Sequence, residues 1–412
     1  MTAGREHMSG GVGTRRDFLR QSGAAVMGAA AVSLARPARA DDGARRIRMG
    51  VVGGRFGASF YWHTHPRSEV VAVSDLIPER LERLKNVYQC DKGYPSLEEL
   101  ILDPDVEAVA IFTGAPDHVR HSVAALRAGK HVVCAVPAGC TVEECEELLD
   151  TVKETGLTYM MAETSYYRQA MISARKWHAE DRFGVIHYSE SEYHHDGLEN
   201  LFVENGERTW RYGYPPMLYP THNLAFIVGL TGERLTEVTC VGWGDDAPYL
   251  QDNDYGNPFW NETAFFQTDA GHGHRAAIYW RGAHRGTERA QWYGTKMSFH
   301  MATPHGHGPV IVRRAGQTEL DDGGFERDLP ELETYEQTPW WSTDMLPGPL
   351  RHETGHGSSH TFLTHEFIQA LLEERRPAID AVESLAYTVP GIIAHASSRK
   401  DGERLTIPQY AW

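Results

Sequence analysis

The 412-residue chain is poor in cysteine, in basic residues and in long apolar segments. Five cysteines are too few, and odd in number, for a scaffold held together by disulfides. Forty Lys and Arg against 56 Asp and Glu give a net charge of −16, which disfavours nucleic acid and anionic membrane as partners. No segment after residue 40 is long and apolar enough to span a bilayer, so we expect a soluble protein without a membrane span.

The N-terminal residues are typical of an export signal. A twin-arginine pattern, TRRDFLR, occupies residues 14–20, and an apolar run that is too short to span a bilayer follows from Gly23 to Leu34. Ala38-Arg39-Ala40 then fits a cleavage site between small residues. We therefore expect residues 1–40 to be a twin-arginine signal peptide and the protein to be exported to the periplasm or beyond.

The remaining length predicts two domains. Residues 45–165 alternate strand and helix with short turns, which predicts an α/β fold, a Rossmann dinucleotide-binding domain with a parallel sheet. Residues 166–412 predict an α+β domain with a mainly antiparallel open sheet, which would bind substrate or form an oligomer interface. Residues 320–350 are acidic and aperiodic and predict a long surface loop. Helices are expected at His360–Glu374 and Val382–His395, and packing of these helices back on the first domain is left open.

A glycine-containing turn, MGVVGGRFGAS, follows the first predicted strand, and a helix is expected after it. Gly53 fits the tight turn of a dinucleotide fingerprint, but Arg55 occupies the position of the second glycine. That arginine either places its guanidinium near a phosphate or marks a site that has lost its nucleotide. Asp75 follows the second strand, where a carboxylate accepts from a ribose hydroxyl and repels a 2′-phosphate, so NAD is favoured over NADP. The cofactor-binding candidates of this region are Gly53, Gly54, Arg55, Phe56, Gly57 and Asp75.

From the turn GGRFGASF, three further stretches extend this signal in order through residues 47–168: VSDLIPERLERL, FTGAPDHVRHSVAALRAGKHVVC and TVEECEELLDTVKETG. Together with the C-terminal SSHTFLTHEFIQALLEERRPAIDAVESLAYTVPGIIAHAS, they resemble the glucose-fructose oxidoreductase/inositol dehydrogenase (Gfo/Idh/MocA) family. The resemblance implies an NAD-dependent oxidoreductase acting on a small sugar or glycoside, and a homodimer or homotetramer. It also implies that the nicotinamide end of the cofactor site is lined by Thr113, Pro116, His118, Val136 and Pro137.

The chain departs from the family pattern at two groups that handle protons. In the family the strand after GKHV usually ends Glu-Lys-Pro, whereas here Ala135-Val136-Pro137 carries no amine. The family also has an aspartate four residues before a histidine, and in PPMLYPTHNLAF that position holds Leu218 before His222. The oxidation of an alcohol needs a proton acceptor, so His222 becomes the expected base, with Tyr167 and Arg168 as further catalytic candidates. Other options nearby are Tyr166, His194, His195 and Asp196.

Two other functions stay open. LYPTH is similar to the segment around the active-site histidine of the family's NAD-dependent glycosidases, which implies a redox-neutral glycosidase or lyase. The third hypothesis is a non-catalytic protein that binds sugar or nucleotide. The 22 histidines cluster, as in His352, His356, His360 and His365, but glycine and serine interrupt this stretch. We interpret these histidines as hydrogen-bonded cleft and loop residues and predict no metal site.

Overall fold

The computed structural model describes residues 45–195, 197–282 and 286–412 of the chain. These residues fold around two β-sheets, one in each half of the sequence. The expected signal peptide, residues 1–40, and the candidate Asp196 lie outside the described residues. No helix of the described ranges combines the length and the apolar character that crossing a membrane requires.

The first sheet is parallel and has the spatial order β3-β2-β1-β4-β5-β6. Its strands are β1 (Ile47–Val52), β2 (Ser68–Ser74), β3 (Gly93–Tyr94), β4 (Ala108–Ile111), β5 (His131–Cys134) and β6 (Tyr159–Met161). The helices of this half are α1 (Pro78–Tyr88), α2 (Leu97–Leu100), α3 (His118–Arg127) and α4 (Val142–Thr155). Strands β4 and β6 are buried along their whole length, as expected for a parallel sheet covered on both faces. The predicted Rossmann domain is confirmed.

The second sheet has the order β16-β15-β14-β13-β7-β12-β11-β10-β17 and is antiparallel except where β7 pairs with β12. Its strands are β7 (Ile186–His194), β10 (Leu235–Trp243), β11 (Asn261–Thr268), β12 (Gly273–Tyr279), β13 (Thr287–Gly294), β14 (Met297–His300), β15 (Val310–Leu320), β16 (Glu326–Thr334) and β17 (Leu405–Thr406); β8 (Val203–Glu204) and β9 (Glu207–Arg208) form a separate hairpin. The helices are α5 (Gln169–Ala179), α6 (Thr221–Leu224), α7 (Val228–Thr231), α8 (Pro248–Gln251), α9 (His360–Leu372) and α10 (Ala381–Ser398). The mainly antiparallel C-terminal sheet is confirmed.

Short 3₁₀ helices connect many of these elements. They are Phe56–Ser59, Ala115–Asp117, Ser165–Tyr167, Leu198–Leu201, Pro216–Leu218, Trp340–Ser342 and Gly348–Leu350. The predicted loop at 320–350 is wrong in part, because β16 lies within it and pairs with β15. Nearly every side chain of β16 is exposed, so neither face of the strand carries the apolar alternation from which a strand is recognised.

The capping signal of α4 works as its sequence indicates. The Thr141 hydroxyl accepts from the backbone N–H of Glu144 at 3.1 Å, and the Glu144 carboxylate accepts from the N–H of Thr141 at 3.2 Å. Gly156 ends the helix in the left-handed region with φ +65°. This reciprocal cap and the terminal glycine fix the helix that follows the turn after β5.

The first crossover of the Rossmann domain differs from the prediction. The glycine turn is followed by the four-residue 3₁₀ helix Phe56–Ser59 and an irregular stretch to β2, not by an α-helix. The C-terminal helix α9 instead packs on this face of the sheet, where Phe362, Phe367 and Ile368 share an apolar cluster with Ile47 and Met49 of β1. A helix from the far end of the chain thus covers β1 where a crossover helix is usual.

We predict that Phe367→Ala lowers the thermal unfolding midpoint of the protein substantially. The Phe367 side chain is fully buried against the first sheet, and removal of such a ring costs about 3–5 kcal/mol of folding free energy. The matched control is Phe325→Ala, since Phe325 is 73% exposed and should change stability by less than about 0.5 kcal/mol. Equal midpoints for the two variants would show that α9 does not pack as described.

Candidate active site

A cavity of about 660 Å³ lies at the carboxyl ends of the first-sheet strands, where ligands of open α/β sheets bind. Its wall includes the predicted cofactor residues Gly53, Arg55, Phe56, Asp75 and Thr113. The opposite wall comes from the second half of the chain and includes Leu201, Glu204, Thr209, Trp210 and Arg211. The cavity therefore lies between the Rossmann sheet and the loop that carries β8 and β9.

The turn after β1 requires glycine at two positions. Gly53 has φ +99°, a conformation that L side chains rarely adopt, and a Cβ there would clash with the carbonyl oxygen of Phe112. A Cβ on Gly54 would clash with the carbonyl oxygen of Arg80 in the first turn of α1. A Cβ added to Gly57 would lie 2.9 Å from the Phe112 ring. The turn keeps the floor of the cavity free of side chains, which is the space a dinucleotide needs.

Asp75 is fixed beside this turn by backbone hydrogen bonds. Its Oδ2 accepts from the N–H of Gly54 at 2.6 Å, and its Oδ1 accepts from the N–H of Ile77 at 2.8 Å. Each carboxylate oxygen can accept a further hydrogen bond, so Asp75 retains capacity for ribose hydroxyls. The residues present thus fit a dinucleotide with free ribose hydroxyls.

The side chain of Arg55, at the position of the second glycine, is paired across the cavity. The guanidinium groups of Arg55 and Arg80 both contact the carboxylate of Glu204 in β8, the latter at 2.5 Å. These contacts and the Arg80 guanidinium lower the pKa of Glu204 below its ordinary value. Arg55 therefore ties the glycine turn to the β8–β9 hairpin.

Of the residues predicted to line the nicotinamide end, some line the cavity and others lie outside its lining. Thr113 lines the cavity and its hydroxyl lies 2.9 Å from Nδ1 of His121. His118 is buried, and its two ring nitrogens face the carbonyl oxygens of Pro137 at 2.8 Å and of Thr113 at 3.2 Å. His118 thus joins the ends of β4 and β5, while Val136 is 7% exposed within an apolar cluster. Pro116 is exposed at the start of a 3₁₀ helix.

The predicted base, His222, is buried and paired with a carboxylate that the sequence analysis did not identify. Its Nδ1 donates to Oε1 of Glu163 at 2.8 Å, and the Ser165 hydroxyl lies 3.3 Å from the same nitrogen. Glu163 follows β6, and His222 lies on the short helix α6 of the second half. With Nδ1 engaged by a carboxylate, Nε2 is the nitrogen that can accept a proton.

Burial alone would lower the pKa of His222, but the charge and the hydrogen bond of Glu163 outweigh it and raise that pKa. Burial alone would raise the pKa of Glu163, and the attraction of His222 lowers it instead. The pair therefore favours the imidazolium, which increases the proton affinity of His222 at Nε2.

A second buried ion pair lies beside the first. The Arg168 guanidinium binds Glu288 in a two-point contact, with Nε and Nη2 each 2.5 Å from a carboxylate oxygen. Ser165 connects the pairs, since its hydroxyl donates to Oε1 of Glu288 at 2.5 Å. Burial opposes the ionisation of Glu288, but the Arg168 charge lowers its pKa to about 2. Glu163, His222, Arg168 and Glu288 form one cluster, which we call the acid–base cluster.

Aromatic rings cover the imidazole of His222. The rings of Tyr193 and Tyr219 have centroids 4.7 and 5.4 Å from that of His222. Arg211, which lines the dinucleotide cavity, stacks on Trp210 at 4.1 Å and reaches within 5.6 Å of the Tyr219 ring. The acid–base cluster therefore adjoins the dinucleotide cavity through Arg211 and Tyr219.

A second, more open cavity of about 460 Å³ borders the other side of the cluster. Its lining includes Arg168, Glu288 and Tyr193, together with the candidates His194 and His195. A polar cavity next to a proton acceptor is a suitable place for a hydroxylated small molecule.

Tyr167 and Tyr166 have different surroundings from those predicted. Tyr167 is 7% exposed and stacks on Phe362 of α9 with ring centroids 5.7 Å apart, so it lies in the packing of α9 and lines neither cavity. Its proposed catalytic role is therefore not supported by its position. Tyr166 packs under Arg175, whose guanidinium is 3.7 Å from the ring centroid. Of the SYYR segment, Ser165 and Arg168 reach the acid–base cluster through hydrogen bonds, and the two tyrosines do not.

Two of the clustered histidines, His356 and His360, are hydrogen-bonded to each other. Nδ1 of His356 lies 2.9 Å from Nε2 of His360, a contact in which those nitrogens share a proton rather than a metal. Among the described residues no group of three or more His, Cys, Asp or Glu side chains is arranged to hold a metal ion.

The two carboxylates of the cluster, Glu163 and Glu288, differ in how far the sequence alone indicates them. Glu163 stands directly after the last predicted Rossmann strand, so its position at the ligand edge was a usable signal. Glu288 lies in the antiparallel sheet more than a hundred residues later and has no local motif. Only the fold brings its carboxylate to Arg168.

Comparison with known proteins agrees with this description. Residues 47–163 match the model of the GFO_IDH_MocA family, described as an oxidoreductase family with an NAD-binding Rossmann fold. A glycosyl hydrolase family 109 protein of Saccharopolyspora erythraea is 25% identical over 96% of this chain and 94% of its own length. A trans-1,2-dihydrobenzene-1,2-diol dehydrogenase of Bos taurus is 33% identical over 31% of this chain and 39% of its own.

Solved structures share the fold. Levoglucosan dehydrogenase in complex with NADH and levoglucosan has a TM-score of 0.71 at 18% identity and covers 89% of this chain and 100% of its own. Scyllo-inositol dehydrogenase of Lactobacillus casei with NAD(H) and scyllo-inositol has a TM-score of 0.64 at 16% identity, covering 88% and 99%. The first half of this chain thus has the NAD-binding Rossmann fold of an oxidoreductase family. Residues 47–163 match the Gfo/Idh/MocA family, and the predicted resemblance is confirmed for the Rossmann domain.

We predict that Glu163→Gln lowers the pKa of His222. The substitution keeps the shape of the side chain but removes the negative charge that favours the imidazolium, so His222 loses its proton at lower pH. A titration of His222 followed by NMR measures the change, with the exposed Glu143→Gln as the control. An unchanged or higher pKa in Glu163→Gln would contradict the described pair.

We also predict that Gly53→Ala abolishes the binding of NAD, because the added Cβ clashes with the Phe112 carbonyl at the cavity floor. Gly129→Ala is a matched control: Gly129 has φ +80° and an added Cβ there meets nothing within 4 Å. Both variants place an alanine at positive φ, at about 1–2 kcal/mol, and Gly53→Ala adds the clash with Phe112, so the binding of NAD is compared at a temperature where both variants are folded. Calorimetric titration with NAD should show binding to Gly129→Ala only; equal affinities would contradict the assigned site.

Proposed function

We propose that the protein is an exported NAD-dependent oxidoreductase that acts on a sugar or glycoside, with His222 as the proton acceptor. The observation that carries this proposal is the buried Glu163–His222 pair, which adjoins the dinucleotide cavity through Tyr219 and Arg211. Val136 stands where the family usually has a lysine, so the proton must pass through another group. The imidazole is the group best placed to receive it.

Bound NAD supplies a hydride acceptor, and Gly53, Asp75 and Thr113 would hold it in the first cavity. NAD is preferred to NADP because the Asp75 carboxylate repels a 2′-phosphate. Nε2 of His222 takes the proton of the substrate hydroxyl, and Glu163 stabilises the imidazolium that results. A base in such a position typically contributes a rate factor of about 10²–10⁴.

The charge of the cluster supports a neutral substrate. Glu288 holds the Arg168 guanidinium at two points, so this cation is already compensated and is not available to neutralise an anionic substrate. The Arg168 guanidinium still presents N–H donors to the second cavity, which Arg168 lines. A polyhydroxylated, uncharged sugar unit fits these conditions better than a sugar acid.

A second candidate is a redox-neutral glycosidase of the same fold. Curated relatives that align over nearly the whole chain, from Saccharopolyspora erythraea and Solibacter usitatus, are glycosyl hydrolase family 109 proteins. Export also favours this candidate, because the twin-arginine route carries folded proteins and little free NAD is available outside the cytoplasm. Transient oxidation with a retained cofactor would need no external electron acceptor.

Two measurements separate these functions from a non-catalytic binding protein. Heat-denatured protein should release NAD into the supernatant. NAD-loaded protein is then mixed with scyllo-inositol, levoglucosan and 4-nitrophenyl N-acetyl-α-galactosaminide while the absorbance of reduced nicotinamide is followed. Accumulation of reduced nicotinamide indicates net oxidation, whereas release of nitrophenol with only transient reduction indicates the redox-neutral reaction. If both signals are absent with all three compounds, the proposed function is contradicted.

We predict that His222→Ala slows nicotinamide reduction by about 10²–10⁴-fold while bound NAD is retained. The substitution removes the proton acceptor but leaves the glycine turn and Asp75 intact. The control is His187→Ala, since His187 is exposed on β7. Single-turnover absorbance measures the rate and heat release measures the cofactor; an undiminished rate in His222→Ala would remove His222 from the mechanism.

A further inference from the structure

A carboxylate from the second half of the chain holds two guanidinium groups of the dinucleotide cavity, and the mechanism above gives it no role. Oε1 of Glu204, in β8, contacts Nη2 of Arg55 and lies 2.5 Å from Nη2 of Arg80. Arg55 lies in the turn after β1, and Arg80 lies in the first turn of α1. All three side chains line the cavity, so one carboxylate bridges it to two cations of the Rossmann domain.

The two guanidinium groups share this single acidic partner. Among the described residues, Glu204 is the only carboxylate within salt-bridge distance of Arg55 or of Arg80. Arg120, another arginine of the cavity, is different, because it pairs with two carboxylates at 2.8 and 2.9 Å. Loss of the Glu204 charge would therefore leave two cations of the cavity uncompensated at once, whereas Arg120 would keep both of its partners.

The charges of the cavity balance only because Glu204 is one of its lining residues. Four arginines and four carboxylates line the cavity. Burial lowers the pKa of His121, the lining histidine, so this side chain adds no charge at neutral pH. Without Glu204 the lining would carry an excess of positive charge. Such an excess attracts phosphate groups and would favour the more highly phosphorylated of two ligands.

Arg80 lies next to Asp75, the carboxylate expected to meet the ribose. The N–H of Gly54 donates to Oδ2 of Asp75 at 2.6 Å, and a Cβ added to the same glycine would lie 2.8 Å from Cβ of Arg80. The Arg80 side chain therefore begins beside the contact between Gly54 and Asp75. In dinucleotide-binding folds an arginine near the ribose accommodates the 2′-phosphate of NADP. An uncompensated Arg80 would thus oppose the preference for NAD that Asp75 provides.

We propose that Glu204 is a specificity-determining residue for the cofactor, which binds the guanidinium of Arg80 and thereby makes the cavity select NAD against NADP. The proposal rests on the part of the proposed function that assigns NAD to this cavity. Asp75 disfavours a 2′-phosphate by repulsion, and Glu204 disfavours it by occupying the cation that would bind it. The choice of cofactor therefore depends on one carboxylate from the Rossmann sheet and on a second from the hairpin of β8 and β9.

The two arginines that Glu204 holds differ in what they contribute to this choice. Arg55 stands at the second glycine position of the fingerprint, where the backbone normally approaches the pyrophosphate. Both dinucleotides carry a pyrophosphate, so release of Arg55 changes the binding of NAD and of NADP alike. Arg80 adjoins Asp75 and responds to the 2′-phosphate, which NADP alone carries. The ratio of the two affinities, rather than either affinity, therefore reports on the proposed role.

The test is calorimetric titration of the full chain with NAD and with NADP, after copurified nucleotide has been dialysed away. Wild-type protein should prefer NAD. Glu204→Gln keeps the size of the side chain and removes its charge, and it should shift the affinity ratio toward NADP by about 10-fold. The matched control is Glu207→Gln: Glu207 is exposed opposite Glu204 in the hairpin and has no ion pair among the described residues. The control should keep the wild-type ratio to within about 3-fold.

A second variant and a second pair of probes isolate the 2′-phosphate. Arg80→Ala in the Glu204→Gln background should return the ratio to within about 3-fold of the wild-type value. Adenosine 5′-phosphate and adenosine 2′,5′-bisphosphate differ only in the 2′-phosphate and should show the same shifts. If wild-type protein binds neither dinucleotide, the cofactor site of the proposed function fails. If it binds NAD, the role of Glu204 alone is overturned by equal wild-type affinities for NAD and NADP, by an unchanged ratio in Glu204→Gln, or by a shift that persists without Arg80.

Discussion

The contact between the Glu163 carboxylate and the His222 imidazole is the interaction on which the site depends. Either group buried alone as an ion would cost several kcal/mol, so each needs the other to stay charged. Glu163 follows β6 of the first sheet, and His222 lies on α6, which packs against the second. This hydrogen bond of 2.8 Å therefore joins the Rossmann sheet to the second half of the chain.

The neighbouring Arg168–Glu288 pair extends this arrangement without adding net charge. Ser165 contacts both pairs, since its hydroxyl lies within hydrogen-bond distance of His222 and of Glu288. Two carboxylates, a guanidinium and an imidazole that hydrogen-bond one another in a low-dielectric setting hold each member in one geometry. Val136, at the position of the family's usual lysine, packs into the core, and the mechanism proposed above takes its proton-handling group, His222, from the other half of the chain.

The sequence indicated the elements that have strong local signals. The capped helix α4, the buried strands of the first sheet and the left-handed turn at Gly53 follow from residue type and spacing alone. The features that the sequence did not indicate depend on tertiary packing. The crossover helix after Gly53 is absent because α9 covers β1, and β16 escaped recognition because both of its faces are exposed. The role of Glu288 in the cluster could not be predicted, since no sequence pattern near it indicates its contact with Arg168.

The most direct test of the central claim is a double-mutant cycle of Glu163→Gln and His222→Gln on the single-turnover rate of nicotinamide reduction. If the two residues act as one proton-transfer unit, the double variant should be no slower than His222→Gln alone, because the carboxylate acts only through the imidazole. Losses that simply add would show that Glu163 and His222 act independently and would contradict the account.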